Sequence, residues 1–326
     1  MSRGQLHIVK NKKKYFGLSL LLIVIGLCAM IYHGVRGDGF LNFDIEFTGG
    51  TAITLDMGAP FENDKVAAVI TEVTGQKDPQ IQKVLGTNEV SIKIQSVDSE
   101  TRTQLLQVFQ EVFGLTEDQI LSMADTSATI SSEMQKTSFV AVATACLVML
   151  VYISIRFNDF RMGLSAVLAL VHDVLIMLTF YALLWIPVDT AFIAAVLTVV
   201  GYSINATIVI FDRIRENKTL LPDLEVEERI DISVSQTMRR SVYTSLTTFF
   251  TIGALYVFGV QSVREFALPI MVGIISGVYS SVFLSSSVWY FLLQHLKENT
   301  YEYPHEAEEG AYYEDPYAKK KHRDFR

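Results

Sequence analysis

The sequence predicts an α-helical polytopic membrane protein: six transmembrane helices, with an α+β domain inserted between the first and the second. Three observations carry that reading. Half of the 326 residues are hydrophobic and 19% are charged, where soluble domains carry roughly 25% charge, and mean hydropathy is positive at +0.31. Six apolar segments are each long enough for a hydrocarbon core of about 30 Å, which takes about 20 helical residues to cross. The basic residues gather in four clusters, and one topology places all four on the same side.

The segments lie at about 15–33, 138–155, 163–186, 190–211, 241–260 and 266–293. Lys10, Lys12, Lys13 and Lys14 before the first give it the look of a secretion signal. Its apolar run is too long for one, and no small-residue cleavage site follows before Asp38, so it reads as a retained helix. The lysines put the N-terminus in the cytoplasm. Counting helices forward then puts Arg156 and Arg161 inside, followed by Arg213, Arg215, Lys218, Arg229, Arg239 and Arg240, and finally Lys319–Lys321 of the tail. The chain therefore divides into 1–37 (cytoplasmic N-terminus and first helix), 38–135 (outer domain), 136–295 (helices two to six) and 296–326 (cytoplasmic tail).

Within 38–135 there are 16 acidic and 5 basic residues, a net of -11 against -8 for the whole chain, so the rest of the chain is net basic. Thr51 to Met57 alternates as a strand, and Phe61 to Val73 has apolar residues at helical spacing. Gln80 to Leu85 and Glu89 to Ile94 read as strands around Gly86-Thr87-Asn88. Asp98-Ser99 caps a helix through Phe113, and Gln119 to Ile130 is expected to be extended. The order βαββαβ is ferredoxin-like. Such a domain supplies a surface and not a chemistry.

The net negative charge argues against nucleic acid as a partner. Cys28 and Cys146 both fall in apolar runs, which excludes a disulfide scaffold and a structural zinc site. No phosphate loop, zinc-protease motif or catalytic constellation stands out, so the chain does not read as an enzyme, and it is expected to need no metal and no cofactor. Interest falls on polar residues at membrane depth, each costing a few kcal/mol if exposed to lipid. His172 and Asp173 sit near the centre of the third helix, either bonded to a neighbouring helix or forming a station on a proton path. Ser203, Asn205 and Thr207 follow in the fourth helix, with Asp212, Arg213 and Arg215 anchoring its cytoplasmic end. Arg240 begins the fifth helix, where snorkelling is an ordinary role, and Thr244, Ser245, Thr247, Thr248 and Thr251 follow it. Gly273-x-x-x-Gly277 in the sixth permits close backbone approach, inside its own bundle or against another subunit. Gly49-Gly50 marks a tight turn or close packing.

Several of these stretches resemble one family. Asp44-Ile45-Glu46-Phe47-Thr48-Gly49-Gly50 is similar to the D-x-x-F-x-G-G signature after the first helix of the SecD/SecF protein-export family. Ala169-Leu170-Val171-His172-Asp173-Val174 resembles its third-helix motif. The stretch from Gly201 to Glu216 resembles the fourth-helix motif of the SecF branch, and that from Arg240 to Thr248 the fifth. The likeness runs in order from about residue 15 to 295, and a single outer domain of this size suits the SecF branch. It implies a subunit of a proton-driven transporter of the resistance-nodulation-division type in the bacterial cytoplasmic membrane, with protons as the coupling ion. The implied partners are SecD, the SecYEG translocon, YajC and, functionally, the SecA ATPase, with unfolded preproteins as cargo and lipid around the helices. Intramembrane polar residues without a mate in this chain are then expected to meet SecD, beside Gly273 and Gly277.

Two departures stand out. The family motif has Asp after the Asn of its fourth helix, where this chain has Ala206 following Asn205. That Asp is the family's membrane-embedded proton carrier, working with the Arg that matches Arg240. Ala206 cannot titrate, so either coupling is weakened or the proton uses Asp173 and acidic groups of SecD. Tyr243 stands where the family usually has Asn, with smaller consequence. A small-molecule exporter of the same superfamily would need a duplicated chain or a larger outer region.

Overall fold

The computed structural model describes residues 7–296, apart from 38, 77–78 and 85–86. The expected tail from 297 onward, with Lys319–Lys321, and the turn at Leu85-Gly86 lie outside the described residues. Six helices are long and apolar enough to cross a membrane, making this a multi-pass membrane protein. They comprise α1 (Lys12–Arg36), α5 (Ala128–Phe157), α6 (Phe160–Leu184), α7 (Thr190–Leu220), α8 (Val226–Phe258) and the bent pair α9 (Gln261–Tyr279) and α10 (Ser286–His295). Between α9 and α10 the chain winds as a π-helix over Ser280–Ser285.

Between α1 and α5 lie α2 (Ile45–Thr48), β1 (Gly50–Asp56), α3 (Asn63–Thr74), β2 (Gln80–Lys83), β3 (Glu89–Ile94), α4 (Ser99–Phe113) and β4 (Ile120–Thr126). The four strands form one antiparallel sheet in the order β2-β3-β1-β4. Period-two alternation sends Ile53, Leu55, Val90, Ile92 and Ile94 to one face, where Val66, Val69 and Ile70 of α3 and Leu105 and Phe109 of α4 cover them. Asp98 caps α4 by accepting the Thr101 N–H at 2.7 Å. The extended stretch expected from Gln119 to Ile130 is shorter than the sequence pattern implied. Ser127 accepts the Ile130 N–H, a helix N-cap, and α5 runs unbroken from Ala128 through the 135/136 boundary to Phe157.

In the bundle α6, α7 and α9 are the inner helices. Some 44%, 44% and 61% of their apolar windows are buried, against 11%, 6% and 11% for α1, α5 and α8. α1 and α5 pack on α6, and α8 packs on α7 and α9. The helices overrun the hydropathy windows. α7 continues to Leu220, halting before Leu221-Pro222, because the residue before a proline is pushed out of helical geometry. α8 already begins at Val226. Arg240 is therefore mid-helix and does not begin the fifth helix as expected. Charged side chains are good helix formers, so helix continues past the apolar stretch that hydropathy detects.

One end of the bundle carries both ends of the described chain. Asp231 of α8 accepts the N–H groups of Ile8 and Val9 at 2.9 and 3.0 Å. The Lys12 ammonium lies over the Tyr290 ring, and Trp289 Nε1 donates to Asp159. The sheet domain sits at the opposite end, against the α6–α7 loop.

Candidate functional site

Asp173 lies halfway along α6 and is 1% exposed. Its carboxylate accepts from three hydroxyls: Ser276 Oγ at 2.7 Å on Oδ1, then Ser203 Oγ at 2.7 Å and Ser280 Oγ at 2.8 Å on Oδ2. His172 Nδ1 lies 3.3 Å from Oδ1, while its Nε2 is buried without a hydrogen-bond partner. Ser281 extends the network by donating to the Ser203 carbonyl at 3.1 Å, and it meets Thr207 Oγ1 at 3.0 Å. A carboxylate at this depth is tolerable only when it is paired or hydrogen-bonded. Hydroxyls have a further property, since each both donates and accepts by rotating. The same cage can serve an ionised carboxylate, donating to it, or a protonated one, accepting from it.

The glycines of the sixth span create this cage. A Cβ on Gly273 would lie 2.3 Å from Val199 Cγ2, and one on Gly277 3.1 Å from Ser203 Cβ. Their bare backbone brings α9 onto α7, close enough for Ser203, Ser276 and Ser280 to share one carboxylate. Gly273 and Gly277 thus pack inside this chain, where Asp173, Ser203, Ser276 and Ser280 mate with one another, while His172 Nε2, Ser286 Oγ and Ser287 Oγ are buried without a partner among the described residues. The sequence marks Ser203 as a polar group of the fourth helix and Gly273-x-x-x-Gly277 as a packing strip. Asp173 stands out there too, but nothing in its local pattern links it to Ser203, 30 residues on, or to Ser276 and Ser280.

A second feature lies between α7 and α8: a cleft of about 50 Å³ lined by Tyr202, Asn205, Ala206, Val209, Arg240, Ser241, Thr244 and Ser245. One water needs about 10–15 Å³ of such volume, so the cleft is roomy enough for a carboxylate side chain. Ala206 and Arg240, 34 residues apart, line the same space. Arg240 is exposed on α8. Tyr202 bridges the helices, its hydroxyl 3.3 Å from Ser245 and 3.2 Å from Thr248. Most of the expected hydroxyl stripe is satisfied within α8 itself: Thr244 donates to the Arg240 carbonyl, Thr248 to Thr244 and Thr251 to Thr247. Thr244, Thr247 and Thr251 nonetheless face outward.

The stretch Asp44–Gly50 forms a junction. Asp44 is 1% exposed; it caps α2 through the Ile45 N–H at 2.5 Å and forms an ion pair with Lys93 of β3. Phe47 is buried among Met177, Tyr181, Val188 and Phe192 of the bundle. Gly49 has φ of 81°, a conformation costly for any residue with a Cβ. A Cβ on Gly50 would stand 2.4 Å from the Ile94 carbonyl oxygen. The pair is thus both the tight turn and the close packing that the sequence left open. Nearer the other end, Asp212 pairs with Arg156 at 3.3 Å and Arg213 with Glu216 and Gln236. Both residues tie helices together, away from Asp173 and the cleft.

Residues 105–295 match the family model described as protein export membrane protein SecD/SecF, C-terminal. The chain is 33% identical to the protein translocase subunit SecF of Acidaminococcus fermentans, covering 89% of this chain and 98% of that one. It is 35% identical to the subunit of the same name from Sebaldella termitidis, over 88% and 92%. The crystal structure of SecDF, a translocon-associated membrane protein from Thermus thermophilus, superposes with a TM-score of 0.77 at 33% identity. That match covers 89% of this chain, which spans only 39% of the SecDF chain.

Proposed function

This chain belongs to the SecF branch of the SecD/SecF protein translocase family, and on that premise we propose that it couples proton movement to Sec-dependent preprotein translocation, with Asp173 as its proton station. The observation that carries the reading is the hydroxyl cage. It holds a carboxylate at mid-membrane depth with donors that can reverse when a proton arrives. Moving one charge through 100 mV supplies about 2.3 kcal/mol, enough to bias a two-state rearrangement of the bundle. On this reading both termini are cytoplasmic, and the sheet domain, ferredoxin-like in strand order, faces outward from the bacterial cytoplasmic membrane. SecD covers the exposed α8 face that carries Arg240. SecYEG, YajC and SecA complete the machinery, and unfolded preproteins are the cargo.

Ala206 favours a second reading, in which this subunit assembles with SecD but drives translocation weakly. The cleft beside Arg240 then marks where a titratable group has been lost. Proton flux and potential-dependent preprotein release in proteoliposomes with SecD separate the two. Asp173→Asn keeps an acceptor oxygen and an amide that serine hydroxyls can satisfy, so folding should persist. On the first reading it reduces coupled release at least tenfold, and Ala206→Asp changes little. On the second Asp173→Asn is silent, and Ala206→Asp raises release only while Arg240 is present.

A further inference from the structure

Where the sheet domain meets the bundle, charged groups from four elements lie close enough to act on one another. They are Asp44 at the cap of α2, Lys93 of β3, Asp189 at the cap of α7, and Glu265 in the second turn of α9; two of them, Lys93 and Asp44, form an ion pair. We propose that this junction is a proton-responsive latch: Lys93 holds the outer domain onto the bundle through Asp44, and protonation of Asp189 tightens the hold. The proposal goes beyond the transport reading and does not depend on it.

The geometry is a dock of two strands of chain. The Asp44 N–H donates to the Val188 carbonyl at 3.0 Å, the Val188 N–H to the Asn42 carbonyl at 2.7 Å, and the Thr190 N–H to Glu46 Oε2 at 2.9 Å. Gln80 of β2 bonds Asn42, which in turn bonds the Trp185 carbonyl. Lys93 is the sheet's ionic contribution. Burial alone would lower its pKa, but Asp44, with Glu265 and Asp189, more than offsets that and leaves it raised. The ammonium therefore stays charged, and removing it would strand the Asp44 carboxylate.

Asp189 is the group that changes state. Burial pushes its carboxyl up to about 6; the Phe192 N–H and Lys93 oppose the shift, while Glu265 and Asp44 add to it. The charged and titratable groups near it are Asp44 from α2, Lys93 from β3, Tyr181 from α6 and Glu265 from α9, with Tyr256 of α8 acting on Tyr181; Glu46 of α2 accepts from the neighbouring Thr190 N–H. Asp189 lies between Val188 and Thr190, whose N–H groups bond across the dock, so opening the dock admits water to it and its pKa falls back toward the ordinary 3.8. A carboxyl whose pKa is raised in the closed state binds its proton more tightly there, so acid favours closure. That stabilisation is complete below about pH 4 and is lost as pH rises through about 6.

The test is amide hydrogen exchange of the full chain in nanodiscs, read at Asp44, Val188 and Thr190 and corrected for intrinsic pH dependence. Wild type should show protection about tenfold higher at pH 5.0 than at pH 7.5. Asp189→Asn preserves the helix cap, since Asn and Asp cap equally well, and should hold the high value at both pH values. Lys93→Met should lower protection tenfold or more at both, and Lys93→Arg should restore most of it. Exchange at Ile53 and Ile92 reports whether the sheet itself remains folded, and should Lys93→Met unfold it, Asp189→Asn decides alone. Wild-type protection indifferent to pH, or a pH dependence surviving in Asp189→Asn, overturns the latch. So does Lys93→Met with unchanged protection and an intact sheet.

Discussion

At Gly273 a Cβ would meet Val199 at 2.3 Å, whereas at Gly201, on the exposed side of α7, it would meet nothing within 4 Å. The two positions therefore respond oppositely to one added methyl. Gly273→Ala should overpack the α7–α9 contact and cost about 1–3 kcal/mol, and by parting the helices it should also loosen the hydroxyls from Asp173. Gly201→Ala should be neutral or stabilise by up to about 1 kcal/mol through helix propensity. Thermal unfolding of the detergent-solubilised chain checks both, and equal shifts in the two variants would contradict this account of the packing. Sequence alone marked both glycines of the Gly273-x-x-x-Gly277 strip as close-approach sites but left open what they approach. The answer depends on Val199 and Ser203, some 74 residues earlier, and no local pattern links them.

At the scale of elements, the six spans were legible because a 20-residue apolar run has few alternative fates. Their ends were not, since helix outlasts hydropathy wherever good helix formers continue. The α7–α8 hairpin shows this. Beyond the apolar run, Asn217 is 1% exposed and donates to Ser233 at 2.8 Å and Gln236 at 3.0 Å. A polar zipper thus replaces apolar packing, and a hydropathy window registers only a loop. Asn217→Ala leaves Ser233 and Gln236 without that donor and should cost about 1–3 kcal/mol locally. Limited proteolysis at the Leu221–Leu224 turn reports it, and cleavage no faster than in wild type would mean the hairpin is held by other contacts. The junction around Asp44 was legible only as a motif. Lys93, Asp189 and Glu265 escaped notice because each is an unremarkable charge until the fold brings three distant segments to one place.

At the scale of the whole molecule, the fold makes orientation a single binary choice. Six spans return the chain to the side where it started, and the contacts of Ile8 and Val9 with Asp231 and of Lys12 with Tyr290 put both described ends at one end of the bundle. That end also carries Arg156, Arg161, Arg213, Arg215, Lys218 and Arg229, while residues 38–135 at the other end hold 16 acidic against 5 basic side chains. Positive charge resists export across an energised membrane, so the basic end should be cytoplasmic. A chain with Cys28 and Cys146 replaced by Ala supplies the background for single cysteines at Gln76, Gln261 and Leu220. Gln76 lies in the sheet domain and Gln261 opens α9 beside the junction, so both should react with an impermeant maleimide in intact cells. Leu220 is 59% exposed at the end of α7 and should react only after permeabilisation. Because the three sites report on one topology, the inverted pattern would turn the whole molecule over. The latch would then face the cytoplasm, and Asp189 could not respond to the pH outside the cell.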